Sequence, residues 1–104
     1  MQKTKPPADL TTAAKKLWNR IYDAAAMDEP AQLLLDSLCR SWDRAQAAHA
    51  LIERDGLVLV ERTAHGDAKS RANPACAIER DSLASMMRAW RLLGFDQQPP
   101  TEVR

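Results

Sequence analysis

The side chains that could support catalysis are few, and their spacing does not bring them together. Asp36 and Asp43 fall on one face of a predicted helix, but Arg40 stands between them, which is typical of a solvated helix surface rather than of converging metal ligands. His49 falls on the apolar side of the same helix and His65 in a predicted loop, each without a neighbour that would make it a general base. We predict a packed or capping role for His49 and no metal site.

Two other kinds of site are also disfavoured. A phosphate-binding loop needs a glycine-rich turn followed by a lysine, whereas this chain has only 3 glycines, widely separated. Cys39 and Cys76 lack both the C-x-x-C spacing and flanking ligands, so we expect two small buried hydrophobic side chains in a reducing compartment, without zinc or a disulfide. The sequence therefore predicts no enzyme, no metal and no cofactor.

Positive charge is concentrated at the N-terminal end, although the formal net charge is only +1. Phosphate binding needs several exposed cations near one another. The DNA-binding candidates are Lys15, Lys16 and Arg20 on the first predicted helix, and Lys69 and Arg71, with Arg62 nearby, around the central loop. Arg80, Arg88 and Arg91 are expected to form a solvated face of the last helix.

Hydrophobic periodicity predicts two helices in the first half of the chain. The first begins near Asp9 or Thr11, and its apolar positions are Leu10, Ala14, Leu17, Ile21 and Ala25. The second follows the start signal of Asp28 and Pro30 and continues to Asp55, on the order of 40 Å. Its apolar face is predicted at Leu34, Leu38, Trp42, Ala45, His49 and Ile52. Helix one is its expected hairpin partner along the whole side.

A short β-hairpin and a third helix are predicted in the second half. The strands are 57–62 and 68–72, joined around His65-Gly66-Asp67. The third helix has its N-cap at Asn73, begins at Pro74, and ends at Leu93. The predicted fold is mainly α: a helical hairpin with a long second helix, a short β-hairpin and a third helix. Residues 9–95 form a single domain, preceded by a flexible arm (1–8) and followed by an irregular tail (96–104).

The third helix has a wider apolar arc than one intrachain core requires. One stripe comprises Ile78, Ser82, Met86, Ala89 and Leu93; a second comprises Leu83, Met87 and Trp90. An isolated two-stranded hairpin is also marginal in water. We therefore predict a closed homo-oligomer larger than a dimer, whose interface includes Leu83, Met87, Trp90, Leu57 and Leu59.

Each predicted helix carries one tryptophan, at Trp18, Trp42 and Trp90. We expect them to anchor the core, with the indole N–H near the surface, in preference to stacking on nucleic acid bases. The first eight residues lack the apolar core of a signal peptide, and no apolar run is long enough to cross a bilayer. We therefore expect a cytoplasmic protein without a membrane partner.

The order of these signals resembles a known family. Gly56 and Gly94 suit helix-ending positions, and Asn73-Pro74 suits a helix start. With Trp18 and the long segment 34–54, the frame of Gly56, Asn73-Pro74 and Leu93-Gly94 resembles the small terminase subunits of tailed bacteriophages, the short type that works beside a large ATPase and nuclease subunit. The resemblance covers roughly residues 9–95 and rests on order and spacing.

The resemblance implies a non-catalytic subunit that assembles into a ring, binds double-stranded viral DNA and delivers it to the large subunit in the host cytoplasm. Family members commonly continue from Leu-Gly into threonine-proline and a nearby arginine. Here Phe95 to Gln98 precede Pro99, which leaves the role of the C-terminal segment open. The alternative function is a small dimeric helical DNA-binding transcriptional regulator, although a long second helix fits a helix-turn-helix poorly.

Overall fold

The computed structural model describes residues 4–95 and has the predicted order of elements. These are α1 (Thr12–Ala24), α2 (Glu29–Asp55), β1 (Val58–Arg62), β2 (Ala68–Ala72) and α3 (Pro74–Leu92). The mainly α fold class is therefore confirmed. Residues 1–3 of the predicted N-terminal arm and the whole predicted tail lie outside the described residues.

The helix starts follow from local capping chemistry. Thr11, Asp28 and Asn73 have extended backbones, and the side chain of each accepts a hydrogen bond from the second or third N–H of the following helix. These bonds are 2.9–3.1 Å long. They satisfy N–H groups that have no partner within the helix. The predicted starts of all three helices are confirmed.

The end of α3 is a Schellman turn. Gly94, with φ +93°, reverses the chain; its N–H donates to the carbonyl of Arg91 at 2.9 Å, and the N–H of Phe95 donates to the carbonyl of Trp90 at 3.3 Å. This pattern brings Phe95 back against the last turns of α3. The rings of Trp90 and Phe95 accordingly lie 4.5 Å apart between centroids.

The hydrophobic core lies where all three helices meet. Its buried members are Leu10, Ala14, Trp18, Ile21, Leu35, Leu38, Cys39 and Ala89. α1 has 13 residues against 27 in α2, so it is about 20 Å long and cannot cover the second half of α2. The expectation that α1 pairs with the whole of α2 is therefore wrong: α3 makes the more extensive contact.

Small side chains line the contact between α2 and α3. They are Ser41, Ala45 and Ala48 from α2, and Ala75, Ser82 and Ala89 from α3, all buried. The spacing of three and four residues in α2, and of seven in α3, is that of a coiled-coil contact. Residues of this size bring two helix axes close together, but they bury little apolar area.

The buried face of α2 differs from the predicted one. Leu35 and Ala48 are buried, whereas His49 is exposed. His49 Nδ1 lies 2.8 Å from Glu79 Oε2, and its Nε2 lies 3.5 Å from Glu53 Oε1. The predicted packed or capping role of His49 is therefore wrong. Because α2 packs against α1 on one side and α3 on another, its buried arc is wider and turned relative to a single stripe.

Beyond the reach of α1, α2 and α3 continue side by side from the core toward the β-hairpin. We call the last part of α2 and the first part of α3, residues 46–55 and 74–83, the arm; it is distinct from the N-terminal arm predicted for residues 1–8. The hairpin follows its end: β1 and β2 pair antiparallel, with Val60 opposite Ser70. The longest dimension of the structure is 64 Å, well beyond the length of about 40 Å expected for α2 alone.

Candidate nucleic-acid interface

The cations of α1 are the most available for phosphate contacts. Lys16 and Arg20 are exposed and lie one turn apart on α1, while Lys15 is half-buried. Ala14, Trp18 and Ile21 bury the opposite side of this helix, which fixes the direction in which the two exposed side chains point. Within residues 4–95, none of these three cations forms an ion pair.

The cations of the hairpin are less available. Arg71 Nε donates to Glu61 Oε1 at 2.7 Å, and both side chains are about half exposed. Lys69 lies directly opposite Glu61 in the register and is exposed. One carboxylate therefore offsets at most one of the two positive charges, chiefly that of Arg71, which it binds directly. Arg62, the third candidate here, donates to the carbonyl of Gly66 at 3.1 Å.

The cations of α1 and those of the β-hairpin lie in different regions of the folded structure. α1 is attached near Asp43 of α2, which accepts hydrogen bonds from the N–H and the hydroxyl of Thr11 at 3.0 and 2.5 Å. The hairpin begins beyond Gly56, about 20 Å farther along the axis of α2. One copy therefore presents two separate basic regions rather than a single patch.

Arg44 is a cation that sequence reasoning did not select. It is exposed and borders a cleft of about 400 Å³ between α2 and the segment before α1. The neighbouring charges in this cleft are paired: Arg40 binds Asp9 and, at 3.0 Å, Asp36. Arg44 itself forms no ion pair with residues 4–95. Arg44 lies on a helix that also carries many acidic residues, so no local excess of positive charge in the sequence marks it as a candidate.

The acids of α2 bind other side chains of this cleft. Arg40 holds the pKa of Asp9 below its usual value, chiefly through its hydrogen bond. Asp43 caps the start of α1 through Thr11, where a carboxylate also favours the helix dipole. Asp36 and Asp43 therefore have the predicted structural role, but they bind Arg40 and Thr11 as well as facing solvent. Both fix the position of α1 and its approach segment.

The residues predicted to form the contact between copies differ in how far they are exposed. Leu83 and Met87 are 40% and 43% exposed, and Leu57 is 66% exposed. Trp90 packs against the core of its own chain, and Leu59 is half-buried. The more exposed strand residues are Val58 at 56% and Val60 at 67%. Side chains alternate between the two faces of a strand, which could have separated Val58 and Val60 from Leu59. Because residues 57–60 are all apolar, however, the sequence does not indicate which face is exposed.

The described tryptophans and cysteines depart in part from the predictions. Trp18 is buried, and its indole N–H has no hydrogen-bond partner in the structure, so its predicted position near the surface is wrong. Cys39 is buried, and burial, followed by the charges of Asp43 and Asp36, raises its pKa to about 12. Cys76 is only half-buried, at the start of α3.

Residues 4–95 contain no cluster of three or more His, Cys, Asp or Glu side chains suited to a metal ion. Over the same range, no helix combines the length and apolar character needed to span a membrane.

Comparison with known proteins places this geometry in a family. The family model described as phage terminase, small subunit, matches residues 14–102. No curated protein and no solved structure matches the chain. The match includes most of α1 with its cations, the arm, the hairpin and α3. Because it spans most of the chain, this protein belongs to the phage terminase small-subunit family and has a role in phage DNA packaging.

Proposed function

We propose that this chain is a non-catalytic packaging subunit that binds double-stranded viral DNA as a homo-oligomer larger than a dimer and delivers it to the terminase large subunit. The observation that carries the DNA-binding part is the exposed pair Lys16 and Arg20, with Lys15 beside it, on the outer side of α1. Ion pairs with residues 4–95 do not neutralise these cations, so their charge is free to meet phosphates.

Repetition of the chain supplies the affinity. Three cations on one helix of one copy make few phosphate contacts, and each contact is weak at physiological salt. Several copies held in one assembly act together, because the second and later contacts are effectively intramolecular. Binding is therefore weak for one copy and steeply salt-dependent for the assembly. Lys69 and Arg71 contribute less than α1, because Glu61 is beside them.

Delivery to the large subunit, the absence of catalysis and a location in the host cytoplasm are supported by membership of the family. The same membership favours the packaging role over the alternative, a dimeric regulator. In addition, α2 has 27 residues and runs into a β-hairpin, whereas a helix-turn-helix needs a tight turn into a recognition helix.

The test is the salt dependence of DNA binding. We expect Lys16→Ala with Arg20→Ala to weaken binding of a duplex fragment and to reduce the slope of log affinity against log salt by about 1 or more, without changing the mass of the assembly. The control is Arg54→Ala with Arg80→Ala, which removes two cations that are paired with Asp55 and Asp81. An equal loss in both double variants, or an unchanged slope in the first, would contradict the proposed DNA contact.

A further inference from the structure

The β-hairpin has two chemically different faces. Directly opposed residues share a face, so the register puts Val58 with Ala72 and Val60 with Ser70 on one side. It puts Leu59 with Arg71 and Glu61 with Lys69 on the other. We call these the apolar face and the charged face of the hairpin.

Residues 4–95 do not cover the apolar face of the hairpin. Val58 and Val60 are 56% and 67% exposed, and all five residues of β2 are exposed. The extensive contacts between elements are α2 with α3, β1 with β2, and α1 with α2; neither strand packs extensively on a helix. A two-stranded sheet needs a helix or further strands against its apolar face to be stable in water.

Another protein surface fits the apolar face better than DNA does. Val58, Val60, Ala68, Ser70 and Ala72 offer no charge to a phosphate, and Arg62 stands only at the distal end. The outer edges of both strands also leave backbone N–H and C=O groups unpaired within the two-stranded sheet, which favours contact with a second polypeptide.

The chain itself carries a second apolar patch of the kind required. Leu83 and Met87 lie one turn apart on α3, at 40% and 43% exposure, on the flank beyond the residues that contact α2. A closed ring is built from a heterologous contact, in which one patch of a copy meets a different patch of the next copy. The hairpin apolar face and the Leu83–Met87 patch are two such different patches on one chain.

We propose that the hairpin is a clasp between copies: its apolar face docks on Leu83 and Met87 of the next copy in the assembly. This contact covers both uncovered surfaces at once. It also turns the charged face of each hairpin, with Lys69 and Arg71, away from the contact. The inference rests on the proposed homo-oligomer and specifies which surfaces hold it together.

Cysteine cross-linking of the full-length chain tests this contact. The variant combines Val60→Cys and Met87→Cys in a background with Cys76→Ser, and Cys39 stays because it is buried. Within one copy, about 20 Å of α3 separates the root of the hairpin from Met87, so the two cysteines are too far apart to pair. Mild oxidation should therefore give a covalent ladder that extends beyond the dimer, read on a denaturing gel.

The controls decide between arrangements. Each single variant, Val60→Cys or Met87→Cys, should stay largely uncross-linked, and Lys69→Cys with Met87→Cys should give no ladder because Lys69 lies on the charged face. Efficient dimers from Val60→Cys alone would overturn the proposal in favour of a two-fold contact between hairpins. An intact assembly by mass without a ladder would overturn the clasp and leave the proposed function standing. A monomer by mass would overturn the homo-oligomer itself.

Discussion

Asn73 is the residue that joins the hairpin to the arm. Its side chain is buried; its Nδ2 donates to the carbonyl of Gly56 at 2.8 Å, and its Oδ1 accepts from the N–H of Ala75 at 3.0 Å. One amide therefore caps α3 and satisfies the carbonyl at the end of α2. A side chain with only an acceptor or only a donor cannot do both.

We expect Asn73→Ala to lower the free energy of unfolding by about 2 kcal/mol, because it removes an N-cap and leaves the carbonyl of Gly56 without its partner. Chemical denaturation measures this change. The control is Ser37→Ala at an exposed position of α2, which should change stability by less than about 0.5 kcal/mol. Equal effects of the two substitutions would show that Asn73 does not hold the root of the hairpin.

The two thiols should differ in reactivity. Burial raises the pKa of Cys39 to about 12, so at pH 8 almost none of it is the reactive thiolate. Cys76 is half-buried, with its Sγ 4.0 Å from the carbonyl of Leu57. A thiol reagent should therefore modify one cysteine per folded chain, at Cys76, and two in denaturant. Rapid modification of both in the folded protein would contradict the buried position of Cys39.

Glu61 restrains the hairpin cations, and this contact can be tested if the chain binds DNA as proposed. Glu61→Gln removes the charge that holds Arg71 at 2.7 Å and should raise DNA affinity and steepen the salt slope by about 1. Glu53→Gln is the matched control, since Glu53 is an exposed acid on α2. A slope that changes equally in both variants would indicate a general charge effect instead of a contact at the hairpin.

At the level of elements, the sequence predicts what is decided locally. The starts at Thr11, Asp28 and Asn73, the strands and the turn at Gly94 depend on caps and glycines within a few residues. The partner of α2 was predicted wrongly, because it depends on how far α1 reaches and on small side chains of α3 that are distant in sequence. The prediction that His49 lies on the buried face of α2 was wrong for the same reason: its partner, Glu79, comes from another helix.

The Schellman turn provides a test at this scale. In Gly94→Ala the new Cβ would meet no atom within 4 Å, so the cost comes from the backbone, whose φ is +93°. We expect a loss of about 1 kcal/mol in the free energy of unfolding. Gly94→Asn should lose less, because asparagine tolerates this region better. A neutral Gly94→Ala, measured by urea denaturation, would contradict the reversal that places Phe95 on Trp90.

At the scale of the whole molecule, the described residues enclose a core at one end of the structure and leave the apolar face of the β-hairpin exposed at the other. Three helices enclose the core, and the arm and the hairpin extend away from it. The longest dimension of the whole structure is 64 Å. Sequence patterning indicated surplus apolar surface, and three of the residues it selected, Leu57, Leu83 and Met87, are exposed. Trp90 instead packs against the chain's own core, and Leu59 is half-buried while its neighbours Val58 and Val60 are exposed.

Met87 is therefore a better probe of assembly than Trp90. Met87→Asp adds a charge to a side chain that is 43% exposed in the single chain, so the fold should persist while a contact with another copy loses several kcal/mol. We expect a loss of assembly mass with an unchanged helical circular dichroism spectrum. Gln46→Asp, at an exposed polar position of α2, should leave the mass unchanged. An intact assembly in Met87→Asp would remove this residue from the interface.

Many copies of the chain, each with a few free cations, should bind DNA together. Mass photometry of the full-length chain, alone and with a double-stranded DNA fragment, tests it most directly. We predict a species of more than two copies that gains the mass of one DNA fragment without changing its copy number, and that loses the DNA as salt is raised. A monomer or dimer in both samples, or an assembly whose mass does not change with DNA at low salt, would contradict joint binding of DNA by many copies.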